Sequence, residues 1–97
     1  MIQSFNNSAT EDIFNGRNTK AARKLCPRSI WKKATRKLDQ LDSAESLADL
    51  RIPPGNRLKA LKGGRSGQYS IRINSQYRIC FLWSDVGPRQ VEIVDYH

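Results

Sequence analysis

The chain has 97 residues, enough for one compact domain but not for two hydrophobic cores that each offset their own ordering entropy. A composition that is 38% hydrophobic, with two Trp, three Tyr and three Phe, excludes a disordered chain and allows a modest core without metal or disulfide staples. The formal net charge of +8 gives a surface that attracts polyanions, and the lack of any run near the roughly 20 apolar residues of a membrane span excludes a helical anchor.

The opening MIQSF reads as a short strand, and MIQSFNNSATED lacks the basic and apolar regions of a secretory leader, so a cytoplasmic protein is expected. In that compartment Cys26 and Cys80 stay reduced; they have no metal-ligand spacing, and Cys80 sits in an apolar run as a core residue would. Ser8 to Phe14 reads as a short helix, capped by Ser8 or Thr10 and stopped by Gly16. Arg17 to Cys26 lacks periodicity and reads as loop with room for helical turns.

From Pro27 onward, Ile30, Trp31, Ala34, Leu38 and Leu41 recur at helical spacing, and Lys32, Lys33, Arg36 and Lys37 take the remaining positions. This is an amphipathic helix with a basic outer face. It closes a stretch, residues 17–37, that holds nine Lys or Arg and no acid, whereas residues 38–50 hold four acids and no base. Charge runs are commonly solvated surface, but acid-free blocks of this length favour a polyanion partner. Asp42 and Glu45 have capping-box spacing and predict a second short helix over Ala44 to Leu50, ended by Pro53-Pro54-Gly55.

Beyond Gly55 the period changes to two. Arg57 to Leu61 is a candidate strand, and Lys62-Gly63-Gly64-Arg65-Ser66-Gly67 is a flexible basic loop. Tyr69, Ile71 and Ile73 alternate with Ser70, Arg72 and Asn74; after the turn at Asn74-Ser75-Gln76, Tyr77, Ile79, Phe81 and Trp83 alternate with Arg78, Cys80 and Leu82; Val91 and Ile93 continue beyond a turn at Asp85 to Pro88. Connections this short demand antiparallel pairing. The expected architecture is α+β: one domain over residues 1–97, in which a short N-terminal strand and helices pack on an antiparallel β-sheet meander of three or four strands.

The one histidine, His97, follows Asp95 and Tyr96 at the end of the sequence. Imidazole transfers protons near neutrality, although a lone terminal His is more often a frayed tail residue. Arg78 shares its strand face with Cys80 and Leu82, away from the apolar stripe, and Lys59, Lys62 and Arg65 lie on or beside the glycine loop. Cations so grouped would neutralise the charge that grows at phosphorus during attack on a phosphodiester; singly, each is as well read as surface charge. The chain has no phosphate-loop, HExxH, zinc or nucleophile-elbow motif, and its acids are too sparse for a metal-binding cluster, so no metal or other cofactor is expected. Metal-free RNA cleavage remains, with the ribose 2′-OH as internal nucleophile, needing only a proton acceptor, a proton donor and cations.

Taken in order, Pro54-Gly55-Asn56-Arg57-Leu58, Leu61-Lys62-Gly63, Arg65-x-Gly67, Tyr69-Ser70-Ile71, Tyr77-Arg78-Ile79-x-Phe81 and Val94-Asp95-Tyr96-His97 resemble HigB-type toxins of the RelE/ParE superfamily, and the opening MIQSF fits as well. The resemblance implies a RelE-like fold and a type II toxin that enters the ribosomal A site on the 30S subunit and cleaves mRNA there. It also implies silencing by a HigA-type helix-turn-helix antitoxin, with operator DNA reached only through the antitoxin complex. Carried over by motif, Arg78 would steady the scissile phosphate and Lys62 and Arg65 would hold RNA backbone. His97 would serve as base or acid, Tyr96 would stack or hydrogen-bond, and Asp95 would orient a neighbouring cation or ring. Some members carry a second histidine where this chain has Lys59; lysine, with a reference pKa near 10.4, supplies charge but is a poor base. Two rival readings share the basic surface: a gyrase-poisoning ParE-like toxin without a hydrolytic site, and a non-catalytic nucleic-acid-binding protein.

Overall fold

The computed structural model describes residues 1–96. Three α-helices come first, α1 (Ser8–Phe14), α2 (Lys20–Leu25) and α3 (Trp31–Ser43), followed by strands β1 (Lys59–Ala60), β2 (Tyr69–Arg72), β3 (Tyr77–Ser84) and β4 (Gly87–Asp95). The strands form one antiparallel sheet in the order β1-β2-β3-β4, the meander expected of such short connections. Its register pairs Ser70 with Cys80, Arg72 with Arg78, Cys80 with Glu92 and Arg78 with Val94. A β-bulge separates the Cys80–Glu92 and Leu82–Arg89 pairs, and Gln90 within it takes a left-handed conformation with φ of 49°.

The helices cover one sheet face. Ile71, Ile79, Phe81, Val91 and Ile93 from the strands pack with Ile13, Leu38 and Leu41 from the helices, all but sealed from solvent. Burying each such side chain is worth about 1.5–3 kcal/mol, which makes this layer the main cohesive element. The opening segment docks on the outer edge of β4, as a parallel partner reduced to one bridge between Phe5 and Val91. Asn6 N–H donates to the Val91 carbonyl (2.9 Å) and Val91 N–H to the Ser4 carbonyl (3.1 Å). Gly87 leaves the space into which the Met1 carbonyl fits. The cap of α1 is Asn7, whose Oδ1 accepts from Thr10 N–H (2.8 Å), rather than Ser8 or Thr10. Thr10 is buried, and its hydroxyl accepts from Ile93 N–H (3.1 Å), so α1 also covers the β4 edge.

Four further local expectations change. Residues 17–26 contain a true helix, α2, capped by Thr19, with Ala22 as its buried anchor; one buried position in six residues leaves no periodicity to read. Lys37, expected on the outer face of α3, is buried, because Asn56 stands above it and offers Oδ1 to its ammonium at 2.5 Å. Asp42 caps nothing: α3 runs on to Ser43, and the Asp42 carboxylate accepts from Ile2 N–H (2.8 Å). The helix expected from Ala44 is a 3-10 helix at Leu47–Arg51, held by a Ser46–Asp49 capping box. The basic loop contains a further 3-10 turn at Gly63–Arg65. Among the described residues, no helix is long and apolar enough to cross a membrane.

Candidate active site

Strand alternation sends Ser70, Arg78, Cys80, Glu92 and Val94 to the sheet face opposite the helices, and Tyr96 follows them one step beyond β4. Arg78 is the centre of this face. Its Nε donates to the Ser70 hydroxyl (2.7 Å), and its Nη2 donates to the carbonyls of Arg57 (2.7 Å) and Ser70 (3.4 Å). Arg57 reaches this position by taking a left-handed backbone conformation at φ of 46°, an uncommon state for a non-glycine residue. Burial pushes the Arg78 guanidinium pKa below its ordinary value, with the nearby cations Arg72 and Arg57 pushing the same way and the Tyr96 side chain opposing them. Three donors are thus spent on fixing the guanidinium, and its Nη1 makes no hydrogen bond among the described residues.

Tyr96 is fastened by its own backbone: its N–H donates to the Gln76 carbonyl at 2.6 Å, tying the end of the sheet to the β2–β3 turn. Its ring then lies 5.8 Å from Arg78 Cζ and 5.9 Å from Lys59 Nζ, within cation–π range of both. Beside the ring, Lys59, Ala60, Leu61 and Lys62 complete an open depression of about 310 Å³. A phosphodiester seated there would meet two or three cations and an aromatic platform on which a base can stack.

Of the residues singled out in the sequence, Arg78, Tyr96, Lys59 and Lys62 come together. Arg65 takes a different position: its Nη2 pairs with Glu92 Oε1 and its Nη1 donates to Gln68 Oε1, both at 3.0 Å. Asn6 donates to the other Glu92 oxygen, and the Glu92 bond pushes the Arg65 pKa up. Arg65 therefore clamps the glycine loop to the sheet, with its side chain still 39% exposed. Asp95 pairs with Tyr77, on the opposite strand parity to Tyr96, and its Oδ2 accepts from Gln76 Nε2 at 3.1 Å. His97 lies outside the described residues. Sequence reasoning passed over Ser70, Arg57 and Glu92. The first and last sit on the polar parity of their strands and carried a signal; the left-handed turn at Arg57 carried none.

The family model for "RelE-like toxin of type II toxin-antitoxin system HigB" matches residues 3–97. Toxin HigB-1 of Vibrio cholerae serotype O1 is 52% identical over 62 residues, covering 64% of this chain and 65% of that protein. An uncharacterized protein of Haemophilus influenzae is 39% identical over 59 residues, 61% of this chain and 58% of its own length. The matches thus span somewhat less than two thirds of these relatives. Among solved structures, a chain of the YoeB–YefM complex from Staphylococcus aureus superimposes with a TM-score of 0.60 over 100% of this chain and 95% of its own, at 21% identity, a likeness of fold. With helices, antiparallel meander and family match in agreement along nearly the whole sequence, this chain belongs to the RelE-like HigB toxins of type II toxin–antitoxin systems.

Proposed function

We propose that the chain is a metal-independent, ribosome-dependent mRNA endoribonuclease that cuts message in the A site and so arrests translation. The observation that carries this reading is the convergence of Arg78, Lys59 and Tyr96 on one open face, with Arg78 pre-set by Ser70 and the Arg57 carbonyl. In-line attack of the ribose 2′-oxygen on the adjacent phosphorus forms the 2′,3′-cyclic phosphate as the 5′-oxygen leaves. Both negative charges of the intermediate then fall among these cations. Arg78 holds the non-bridging oxygens, Lys59 adds charge at the rim, and Tyr96 stacks on a base. His97 moves the proton, Asp95 orients a neighbouring ring or cation, and Lys62 and Arg65 hold flanking RNA backbone.

The ribosome and its message are the target, which places the action in the cytoplasm. The silencing partner is a HigA-type helix-turn-helix antitoxin that carries the toxin to operator DNA. Mapping the 5′ ends of ribosome-bound mRNA after brief expression tests this. Cuts at defined codon positions are expected for wild type and their loss for His97→Ala and Arg78→Ala, with growth restored and antitoxin still bound. Intact message beside undiminished toxicity, or a DNA-damage response in its place, would overturn the reading.

A further inference from the structure

A second cationic depression of about 240 Å³ lies where α3 meets the end of β2, lined by Lys33, Lys37, Gly55, Arg72 and Ile73. Among the described residues, no carboxylate lines it. The acids of α3 are committed elsewhere, Asp42 to Ile2 N–H and Asp39 to a separate depression beside Gln40 and Ser43. Three unfavourable placements meet here. Lys33 and Lys37 are like charges four apart on one helix, a destabilising spacing. Lys37 is only 8% exposed, its hydrogen-bond acceptor Asn56 is neutral, and among the described residues no carboxylate answers its charge. Arg72 stands directly opposite Arg78 across the β2–β3 ladder, a cross-strand pair of like sign.

We propose that Lys33, Lys37 and Arg72 form a second phosphate-binding pocket, which takes a phosphodiester of RNA beyond the one seated at Arg78. Lys33 and Lys37 of α3 and Arg72 of β2 line one opening. Arg72 is held in place by its Nε bond to the Asn74 carbonyl (3.0 Å), and Gly55 leaves the mouth open because nothing fills the space where a Cβ would stand. A guanidinium and two ammonium groups match the several acceptor oxygens of a phosphate better than the two of a single carboxylate. Continuity favours RNA. Through Arg72, the ladder partner of Arg78, the pocket adjoins the candidate active face, so one backbone could touch both. The depressed pKa of Lys37, caused first by burial and then by Lys33 and Arg36, agrees with a site whose own charges lack an answering anion. That the anion is RNA rests on the nuclease reading; that the pocket binds phosphate does not.

The test is direct binding, over a series of salt concentrations, to two probes: a short single-stranded RNA 2′-O-methylated throughout, and vacant ribosomes. The variant Lys33→Gln/Arg72→Gln leaves the buried Lys37 in place, and Lys33→Arg/Arg72→Lys keeps the charge. We expect the neutral variant to bind about tenfold more weakly near physiological salt. Its salt slope on the single strand should be shallower by about 0.7 for each phosphate that it no longer neutralises. The charge-keeping variant should bind within about twofold of wild type, with an unchanged melting temperature showing that the fold is intact. Weakening on the free strand assigns the pocket to message, and weakening on ribosomes alone assigns it to ribosomal RNA. Equal affinity and slope on both probes, or a loss no larger than that of Lys20→Gln/Lys24→Gln on α2, would overturn the proposal. The same holds if only the grip on an acidic antitoxin weakens. Neither probe reads cleavage, so failure here is distinct from failure of the nuclease reading, which appears as uncut message on ribosomes.

Discussion

Lys59 and Arg78 approach one ring, that of Tyr96, at 5.9 and 5.8 Å, so two mutually repelling cations are held near each other by an aromatic face and by fixed carbonyls. Each cation–π contact contributes about 0.5–1 kcal/mol at an exposed site, comparable to the repulsion between two screened surface charges. The arrangement is nearly neutral while empty and becomes favourable when an anion enters. This bears on what Lys59 does. If it acts by charge, Lys59→Arg keeps most of the cutting on ribosomes, while Lys59→Ala slows single-turnover cleavage by about ten- to a hundredfold. Were Lys59 the proton acceptor, arginine would be as damaging as alanine, and the two variants would give equal rates. Strand alternation made the placement of Arg78 legible in the sequence, since its parity is opposite to the stripe of Tyr77, Ile79 and Phe81. The clamp formed by Arg65 and Glu92 was not legible, because the pair is 27 residues apart and depends on how the glycine loop folds back.

At the scale of elements, the strands were the most readable part, because a sheet with one apolar face imposes period two on its sequence. Tyr69, Ile71, Tyr77, Ile79, Phe81, Val91 and Ile93 stand where alternation puts them, with one bulge absorbed before Glu92. Helix boundaries were harder, because capping side chains can be drawn into distant bonds, as Asp42 is by Ile2 and Thr10 by Ile93. Asn56 shows how a small polar residue can organise a junction that no periodicity announces. It is fully buried, its Oδ1 accepts from Lys37, and its Nδ2 donates to Gln40 Oε1 (3.2 Å) and to the carbonyls of Leu50 (3.2 Å) and Ile52 (3.4 Å). One side chain thereby joins α3, the 3-10 helix at Leu47–Arg51 and the turn leading to Arg57. Asn56→Ala strips the buried ammonium of its acceptor and leaves carbonyls unsatisfied, so a loss of about 2–4 kcal/mol in unfolding free energy is expected. A denaturant titration of wild type and variant measures it, and a change below about 0.5 kcal/mol would refute this junction role. Lys37→Met in the Asn56→Ala background should recover part of the loss, since it removes the stranded charge.

For the whole molecule, a charge of +8 raises the question of whether alkaline pH, which relieves self-repulsion, makes the fold more stable. The buried acidic groups give the opposite answer. Desolvation pushes the Cys26 thiol up from 9.0 to about 11 even though Trp31 pulls it down, and burial pushes Cys80 and Tyr77 upward as well. A thiol whose folded pKa lies above its unfolded value favours the fold in its protonated form. Its contribution is complete below about pH 9 and is lost as pH rises through the folded value. For Cys26, two pH units correspond to about 3 kcal/mol, whereas exposed ammonium groups separated by more than about 8 Å are screened at physiological ionic strength and contribute less than about 1 kcal/mol per pair. Burial should therefore outweigh charge relief. Denaturation midpoints measured from pH 7 to pH 11 are expected to fall between pH 9 and 11 in wild type and to fall distinctly less in Cys26→Ala, which keeps only the Cys80 thiol. Parallel profiles for the two proteins would mean that this thiol is not what limits the fold at high pH, and a midpoint rising with pH would show self-repulsion to be the larger force.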